Sequence, residues 1–182
     1  MMGQIKAHEF IALDGVAENP RWTIDFPFDP KMGAAIGEVV ATCRAILLGR
    51  TTYEMFAPAW STRTVEDDPG APFFNDSPKY VVSRSLKDPE WNNSTVIGAY
   101  DPAGIRALKE RVDGDLYVSG SLTLVRALIA DGLLDELHLF VFPVVLGAGE
   151  RLFPDGGRPA RLALAGSEAY ASGVVHLAYE RN

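Results

Sequence analysis

The apolar run Ala45-Ile46-Leu47-Leu48 passes without a break into Gly49-Arg50-Thr51-Thr52. A short, bounded apolar run is what a buried parallel strand looks like in sequence, and the turn behind it opens a helix. The same junction recurs at Val81-Val82-Ser83-Arg84 and at Leu116-Tyr117-Val118-Ser119-Gly120-Ser121. Parallel neighbours need a crossover between them, so this alternation restricts the chain to an α/β fold with a mostly parallel sheet flanked by helices on both faces. Ligands of such sheets bind at the carboxyl ends of the strands. Here three carboxyl ends carry hydroxyls, glycines and arginines, with helix N–H groups behind them. That chemistry suits a ligand with several phosphates.

The remaining elements fit the same scheme. Ile5 to Leu13 reads as a first strand, closed by the turn Asp14-Gly15. Residues 16–29 form a loop holding Trp22, Phe26 and Phe28. Asp29 and Pro30 then open a helix in which Met32, Ile36, Val39, Val40 and Cys43 keep helical spacing. Thr51 to Trp60 is the next helix, and residues 61–77 read as a long exposed loop. Strands are expected at Lys79–Ser83 and Thr95–Gly98. A helix from Asp101-Pro102 turns Ile105, Leu108 and Val112 inward, and Leu116–Val118 is a further strand. Ser121 caps a helix with Leu124, Val125, Leu128 and Ile129 on one face. A long strand Leu137–Leu146 follows, and a hairpin of Arg161–Ser167 with Val174–Glu180 gives the sheet an antiparallel C-terminal edge. With 182 residues, 47% of them apolar, a single domain over residues 1–182 is expected.

Composition narrows the function. The net charge is −7 and no basic stripe is present, which argues against nucleic acid as a partner. Cys43 is the one cysteine, which excludes an intramolecular disulfide and a cysteine zinc site. His8, His138 and His176 show no metal-ligand spacing, so no metal is expected. Met1 to Lys6 lacks the apolar stretch of a signal peptide. The longest apolar run, near Leu139 to Leu146, is too short to span a bilayer and contains Pro143. A cytoplasmic protein with no membrane partner is the expectation.

Each candidate site has a plainer reading beside the functional one. Gly49-Arg50-Thr51-Thr52 is an anion site or an ordinary glycine turn. Ser83-Arg84 is a phosphate contact or a solvated strand end, and Ser119-Gly120-Ser121 is a backbone approach to a phosphate or a simple turn. A single helix terminus contributes about 0.3–1 kcal/mol toward a nearby charge. Micromolar binding requires about 8 kcal/mol, so a dinucleotide needs the three turns together with one or two arginine–phosphate contacts and buried ring surface. Asp14 closes a turn beside the cleft, and Asp29 caps a helix. Trp22, Phe26 and Phe28 line a pocket for a flat ring or pack on the core, and Gly147 and Gly149 admit a ligand or shape a bend. No serine–histidine–acid set and no paired carboxylates are legible. Binding groups without obvious reacting groups suit an enzyme whose cofactor carries the chemistry.

Taken in order, Ala12-Leu13-Asp14-Gly15, Leu48 to Glu54, Val82-Ser83-Arg84-Ser85, Val118-Ser119-Gly120-Ser121, Leu133-Leu134-Asp135-Glu136-Leu137, Pro143 to Gly149 and Leu152-Phe153 form a specific set. In these segments the chain resembles the reductase domain of the bifunctional riboflavin-biosynthesis protein and, more distantly, dihydrofolate reductase. The resemblance implies a dihydrofolate-reductase-like fold, NADPH as hydride donor and a small heterocyclic substrate. It implies that Gly49, Arg50, Thr51 and Thr52 meet the cofactor phosphates. Ser83 and Arg84 would recognise the adenosine 2′-phosphate, and Ser119, Gly120, Ser121 and Leu122 would approach the pyrophosphate. Ala12 and Asp14 would lie near the nicotinamide and substrate, with Asp29 the counterpart of the proton-donating acid. From the residues themselves rather than from the resemblance, Trp22, Phe26, Gly147 and Gly149 are the candidate substrate contacts. The activity implied is that of a 5-amino-6-(5-phosphoribosylamino)uracil reductase; the alternatives are a dihydrofolate or pterin reductase and a non-catalytic NADPH-binding dimer. A homodimer is expected, with Leu137–Leu146 a candidate contact. The chain departs from the family pattern at Ala12, where the family has serine. It departs again at His8 and in the helix after Pro30, where the family's riboflavin reductases carry basic residues for a substrate phosphate.

Overall fold

The computed structural model describes residues 3–182, so Met1 and Met2 of the amino-terminal reading lie outside it. The strands are β1 Ile5–Ala12, β2 Cys43–Gly49, β3 Lys79–Val82, β4 Ser94–Val96, β5 Asp115–Ser119, β6 Glu136–Phe142, β7 Leu162–Ala169 and β8 Val175–Arg181. They form one eight-stranded sheet in the order β4-β3-β2-β5-β1-β6-β8-β7. The six strands from β4 to β6 are parallel, and β8 and β7 add antiparallel at one edge. The expected mixed, mostly parallel sheet is what the chain forms.

The helices are α1 Pro30–Ala41, α2 Arg50–Trp60, α3 Ala71–Asp76, α4 Pro102–Arg111 and α5 Leu122–Ala130. Alternation along β1 assigns its side chains to two faces. Ile5, Ala7 and Ile11 join Leu116, Val118, Ile105, Leu108, Leu124, Val125 and Leu128 in one core under α4 and α5. On the opposite face, Ile46, Leu48 and Tyr117 pack with Val39 of α1, Tyr53 of α2 and Phe74 of α3. Farther along, Met32 meets Phe140 and Phe142.

The structure departs from the expected elements in particular places. The stretch 61–77 is not all loop: it holds α3, whose Phe74 stacks on Trp60 with ring centroids 4.1 Å apart. The long strand ends at Phe142, because Pro143 has no N–H to continue the ladder. Both edges of β6 are taken, by β1 and β8, so it has none left for a partner copy. Loop 16–29 contains a 3₁₀ turn over Pro20–Asp25. No helix among the described residues is long and apolar enough to cross a membrane.

Charge is concentrated where the strands begin. Lys6 Nζ lies 3.2 Å from Asp115 and 3.1 Å from Glu136, which open the two strands flanking β1. Burial acts to lower the Lys6 pKa, but the two carboxylates outweigh it and the value is raised. The segment Leu133-Leu134-Asp135-Glu136-Leu137 finds its physical meaning here. Asp135 accepts from the Ile5 N–H at 2.8 Å and pairs with buried Lys109 of α4. Removing Lys109 leaves Asp135 only the half-exposed Arg181, 3.6 Å away, as counterion, and loss of one partner of such a pair costs about 3 kcal/mol. Lys109→Met is therefore expected to lower the unfolding free energy by about that amount, read from urea unfolding, with the m-value unchanged.

Candidate functional site

At the carboxyl ends of β1, β2 and β5 the sheet opens into a cleft of about 1510 Å³. Pockets for one small ligand run to about 1000 Å³, so this cleft has room for a cofactor and a second molecule. Its lining includes Gly49, Arg50, Thr51, Thr52, Ser119, Gly120, Ser121 and Leu122. Eight of the residues singled out from sequence thus meet on one surface.

Two strand-to-helix turns are clasped together there. The Gly49 N–H donates to Ser121 Oγ at 2.9 Å, and the Ser121 N–H donates to Thr52 Oγ1 at 2.8 Å. Each turn satisfies a backbone donor of the other. Ser121 was expected to cap its own helix; its hydroxyl serves Gly49 instead, and α5 has no side-chain cap. Nor does α2. The first N–H groups of two adjacent helices therefore lack side-chain caps beside one cleft, which makes a ready anion site. Gly120 and Ser121 both adopt left-handed backbone, φ 60° and 55°. A Cβ at Gly120 would lie 3.2 Å from Thr52 Oγ1, so glycine lets the two turns close on each other.

Arg50 links this clasp to the third turn. Its Nε donates to Glu54 at 2.7 Å, and one Nη donates to Ser85 Oγ at 2.8 Å. Val82 reaches the cleft, but Ser83 does not line it. The Ser83 hydroxyl accepts from the Ser85 and Leu86 N–H groups and closes its own turn. Arg84 is exposed next to it, also outside the lining.

Several other candidates are placed away from the cleft lining. Asp14 accepts from the Gly147 N–H at 2.7 Å, and this bond holds its carboxyl below the usual range. Asp29 accepts from the Lys31 N–H and caps α1. Ala12 is buried in the turn, bonded to Val16. Trp22 and Phe26 pack edge-on against Phe142, and Gly149 lies against Val16. None of these residues is among those lining the cleft. Of the aromatic loop residues, Phe28 lines the cleft.

Sequence reasoning missed the floor and the far wall. His8, Phe10 and Tyr117 form the floor on the α1 side, with Gly33, Ile36, Gly37 and Val40 of α1 on one wall. Phe56, Trp60, Phe73 and Phe74 form the other. A Cβ built on Gly37 meets nothing within 4 Å, so the cleft is open there. The i, i+4 spacing of Gly33 and Gly37 inside a helix was the legible signal, since glycine is costly there without a reason. His8 Nδ1 hydrogen-bonds the Tyr117 hydroxyl, and burial, aided by His138 and His176, pushes its pKa down to about 3. The three histidines scattered in sequence converge: His8 and His138 are register partners, and His138 Nδ1 lies 3.0 Å from His176 Nε2.

Glu9 points to the α5 side of β1, interrupting the apolar series Ile5, Ala7, Ile11. It is 3% exposed, lines the cleft, and its Oε1 has no hydrogen-bond partner. Burial pushes its pKa well up, partly offset by the Gly120 N–H. An unpaired buried polar group of this kind costs about 1–3 kcal/mol.

Comparison with known proteins agrees with this architecture. Residues 4–176 match the family model of the RibD C-terminal domain. The chain is 27% identical over 176 residues to the uncharacterized protein YyaP of Bacillus subtilis (strain 168), covering 94% of this chain and 92% of that one. A protein of Shewanella sp. PV-4 named for riboflavin biosynthesis shares the fold, with a TM-score of 0.77 at 18% identity over 100% of this chain and 99% of that one. Dihydrofolate reductase from Enterococcus faecalis, solved with NADP(H), aligns with a TM-score of 0.61 at 17% identity, covering 100% and 98%. The chain belongs to the RibD C-terminal domain family, whose fold it shares with dihydrofolate reductase.

The clasp and the neutral histidine each make a measurable demand. Thr52→Val removes the acceptor for the Ser121 N–H at a buried site and is expected to cost about 1–3 kcal/mol. Ser121→Ala costs a similar amount, and the double variant less than the sum, in a double-mutant cycle of chemical unfolding. Because the folded-state pKa of His8 is depressed from 6.5 to about 3, the unfolded chain binds the proton first on acidification. Stability is therefore lost as pH falls through that window. His8→Gln is expected to flatten the dependence of melting temperature on pH there.

Proposed function

We propose that this member of the RibD C-terminal domain family is an oxidoreductase that binds NADPH across the clasped turns and reduces a planar heterocycle held over the α1 side of the sheet. The observation that carries this reading is the pair of adjacent helix N-termini without side-chain caps, beside a cleft large enough for two ligands. Gly49 to Thr52 and Gly120 to Leu122 would hold the pyrophosphate through backbone N–H groups. Arg50, already beside Ser85, would reach the adenosine 2′-phosphate from within the cleft, with Arg84 at its rim. When bound, the reduced nicotinamide supplies a hydride.

The protein's own part is to orient and to exclude water. The α1 side is walled by Phe56, Trp60, Phe73 and Phe74, and His8 and Tyr117 present polar atoms that remain neutral across the physiological range. Among the cleft-lining residues the basic side chains are Arg21 and Arg50. A pyrimidine or pterin ring suits these walls. The phosphate of 5-amino-6-(5-phosphoribosylamino)uracil would have little but Arg21 to meet beyond the cofactor anchors. A cytoplasmic location and a homodimer belong to the same proposal. Asp14 and Asp29 both hold backbone N–H groups away from the cleft lining, and this favours, as a second reading, binding of NADPH without turnover.

Trp60 lines the cleft, so bound NADPH is expected to quench tryptophan fluorescence. Arg50→Ala should weaken binding roughly ten- to a hundredfold, the range for losing a charge-assisted contact. Arg84→Ala should matter more for NADPH than for NADH. Absence of quenching at millimolar NADPH would sink the proposal, and quenching without oxidation by pterin, pyrimidine or flavin precursors would select the second reading.

A further inference from the structure

The anchor residues lie in a row. Across the sheet order they come from the ends of β3 (Val82, with Ser85 just beyond), β2 (Gly49 to Thr52) and β5 (Gly120 to Leu122), and the next strand is β1. From β3 to β1 is three strand spacings, about 14 Å, a distance an extended dinucleotide spans. A ligand whose phosphates sit on the first three strands brings its far end to β1. The residue waiting there is Glu9.

Glu9 has the properties of a ligand contact rather than of a structural carboxylate. Pairing of β1 with β5 ends at His8 and Ser119, so the sheet parts beside Glu9 as the Gly120 turn leaves it. Its carboxyl is buried against that turn, the residue lines the cleft, and one of its oxygens, itself buried, has no partner among the described residues. Among the described residues no basic side chain forms an ion pair with it. Of the charged residues, Glu18 and Arg21 in the loop after β1 and Glu150 line the cleft, and Arg126 of α5 pairs with Glu150 through one Nη while its Nε has no partner among the described residues. His8 and Tyr117 lie on the other face of the sheet. Burial raises its pKa well above the usual carboxylate value, and in its protonated form a carboxyl offers one donor and one acceptor side by side.

We propose that the Glu9 carboxyl is the hydrogen-bonding partner of the ring carboxamide of the bound nicotinamide dinucleotide. A carboxamide presents the complementary acceptor and donor, so the two groups pair twice. The pairing would fix the rotation of the ring about its glycosidic bond and hence the ring face turned toward the α1 side. The inference rests on the reductase reading above and goes beyond it by assigning a residue to the reactive end of the cofactor.

The test is a set of binding titrations on the folded protein, using NADPH and adenosine 2′,5′-bisphosphate, which carries the phosphate end but no ring. Glu9→Ala should weaken NADPH at least tenfold and leave the bisphosphate within twofold of the parent. Glu9→Gln, which keeps a donor and an acceptor without titrating, should retain NADPH binding within a few-fold. The parent's NADPH affinity should fall as rising pH removes the Glu9 proton, and Glu9→Gln should lose that dependence. Equal weakening of both ligands by Glu9→Ala would mean a merely structural role and overturn the assignment. Unchanged NADPH binding in Glu9→Ala would overturn it while leaving the reductase reading intact. Failure of the parent to bind either ligand would overturn both.

Discussion

Two hydrogen bonds between the turns after β2 and β5 set the geometry on which the rest of the site depends. Gly49 donates to Ser121 and Ser121 donates to Thr52. Because the exchange is reciprocal, neither helix can shift along its axis without leaving a backbone N–H unpaired. Gly120 permits it, since any side chain there would press on Thr52. The consequence is that the hydroxyls are spent on the clasp, and the helix N–H groups beside it are left for a ligand.

The two poles of the sheet divide the work. At the strand starts, charged side chains satisfy one another: Lys6 with Asp115 and Glu136, and Lys109 with Asp135. These pairs register β1 against its neighbours and tie α4 to the sheet. At the strand ends the accounting is incomplete. Two helix N-termini lack side-chain caps, and Glu9 keeps an orphan oxygen. Unsatisfied groups are tolerated there because the opposite pole and the apolar layers supply the stability.

The core of the site was legible from Gly49 to Thr52 and Ser119 to Leu122, because a strand that runs into a helix announces both its own end and the helix's beginning. Short apolar runs and the alternation of elements carried the fold for the same reason. The walls were less legible. Asp14, Asp29, Trp22 and Phe26 belong to chemically suggestive types, yet Asp29 caps its own helix, Trp22 and Phe26 pack on Phe142, and Asp14 holds the distant Gly147 N–H, contacts not encoded in spacing. His8, Tyr117 and Phe73 come from three distant segments: sheet order sets His8 beside Tyr117, and the packing of α3 on that face brings Phe73 to them.

By itself the sequence determined the type of most elements, the mostly parallel sheet and the cluster of candidate anion-site turns, since these follow from residue periodicity and from the donors that every helix start leaves open. It also held Glu9 in plain view, as a charge in an apolar series. Only the tertiary structure decided what that charge means. Whether a carboxyl is solvated, paired or stranded beside a cleft depends on which strands lie next to it and where their pairing stops. Strand order is a property of the assembled sheet, set by packing on both faces, and no local pattern records it.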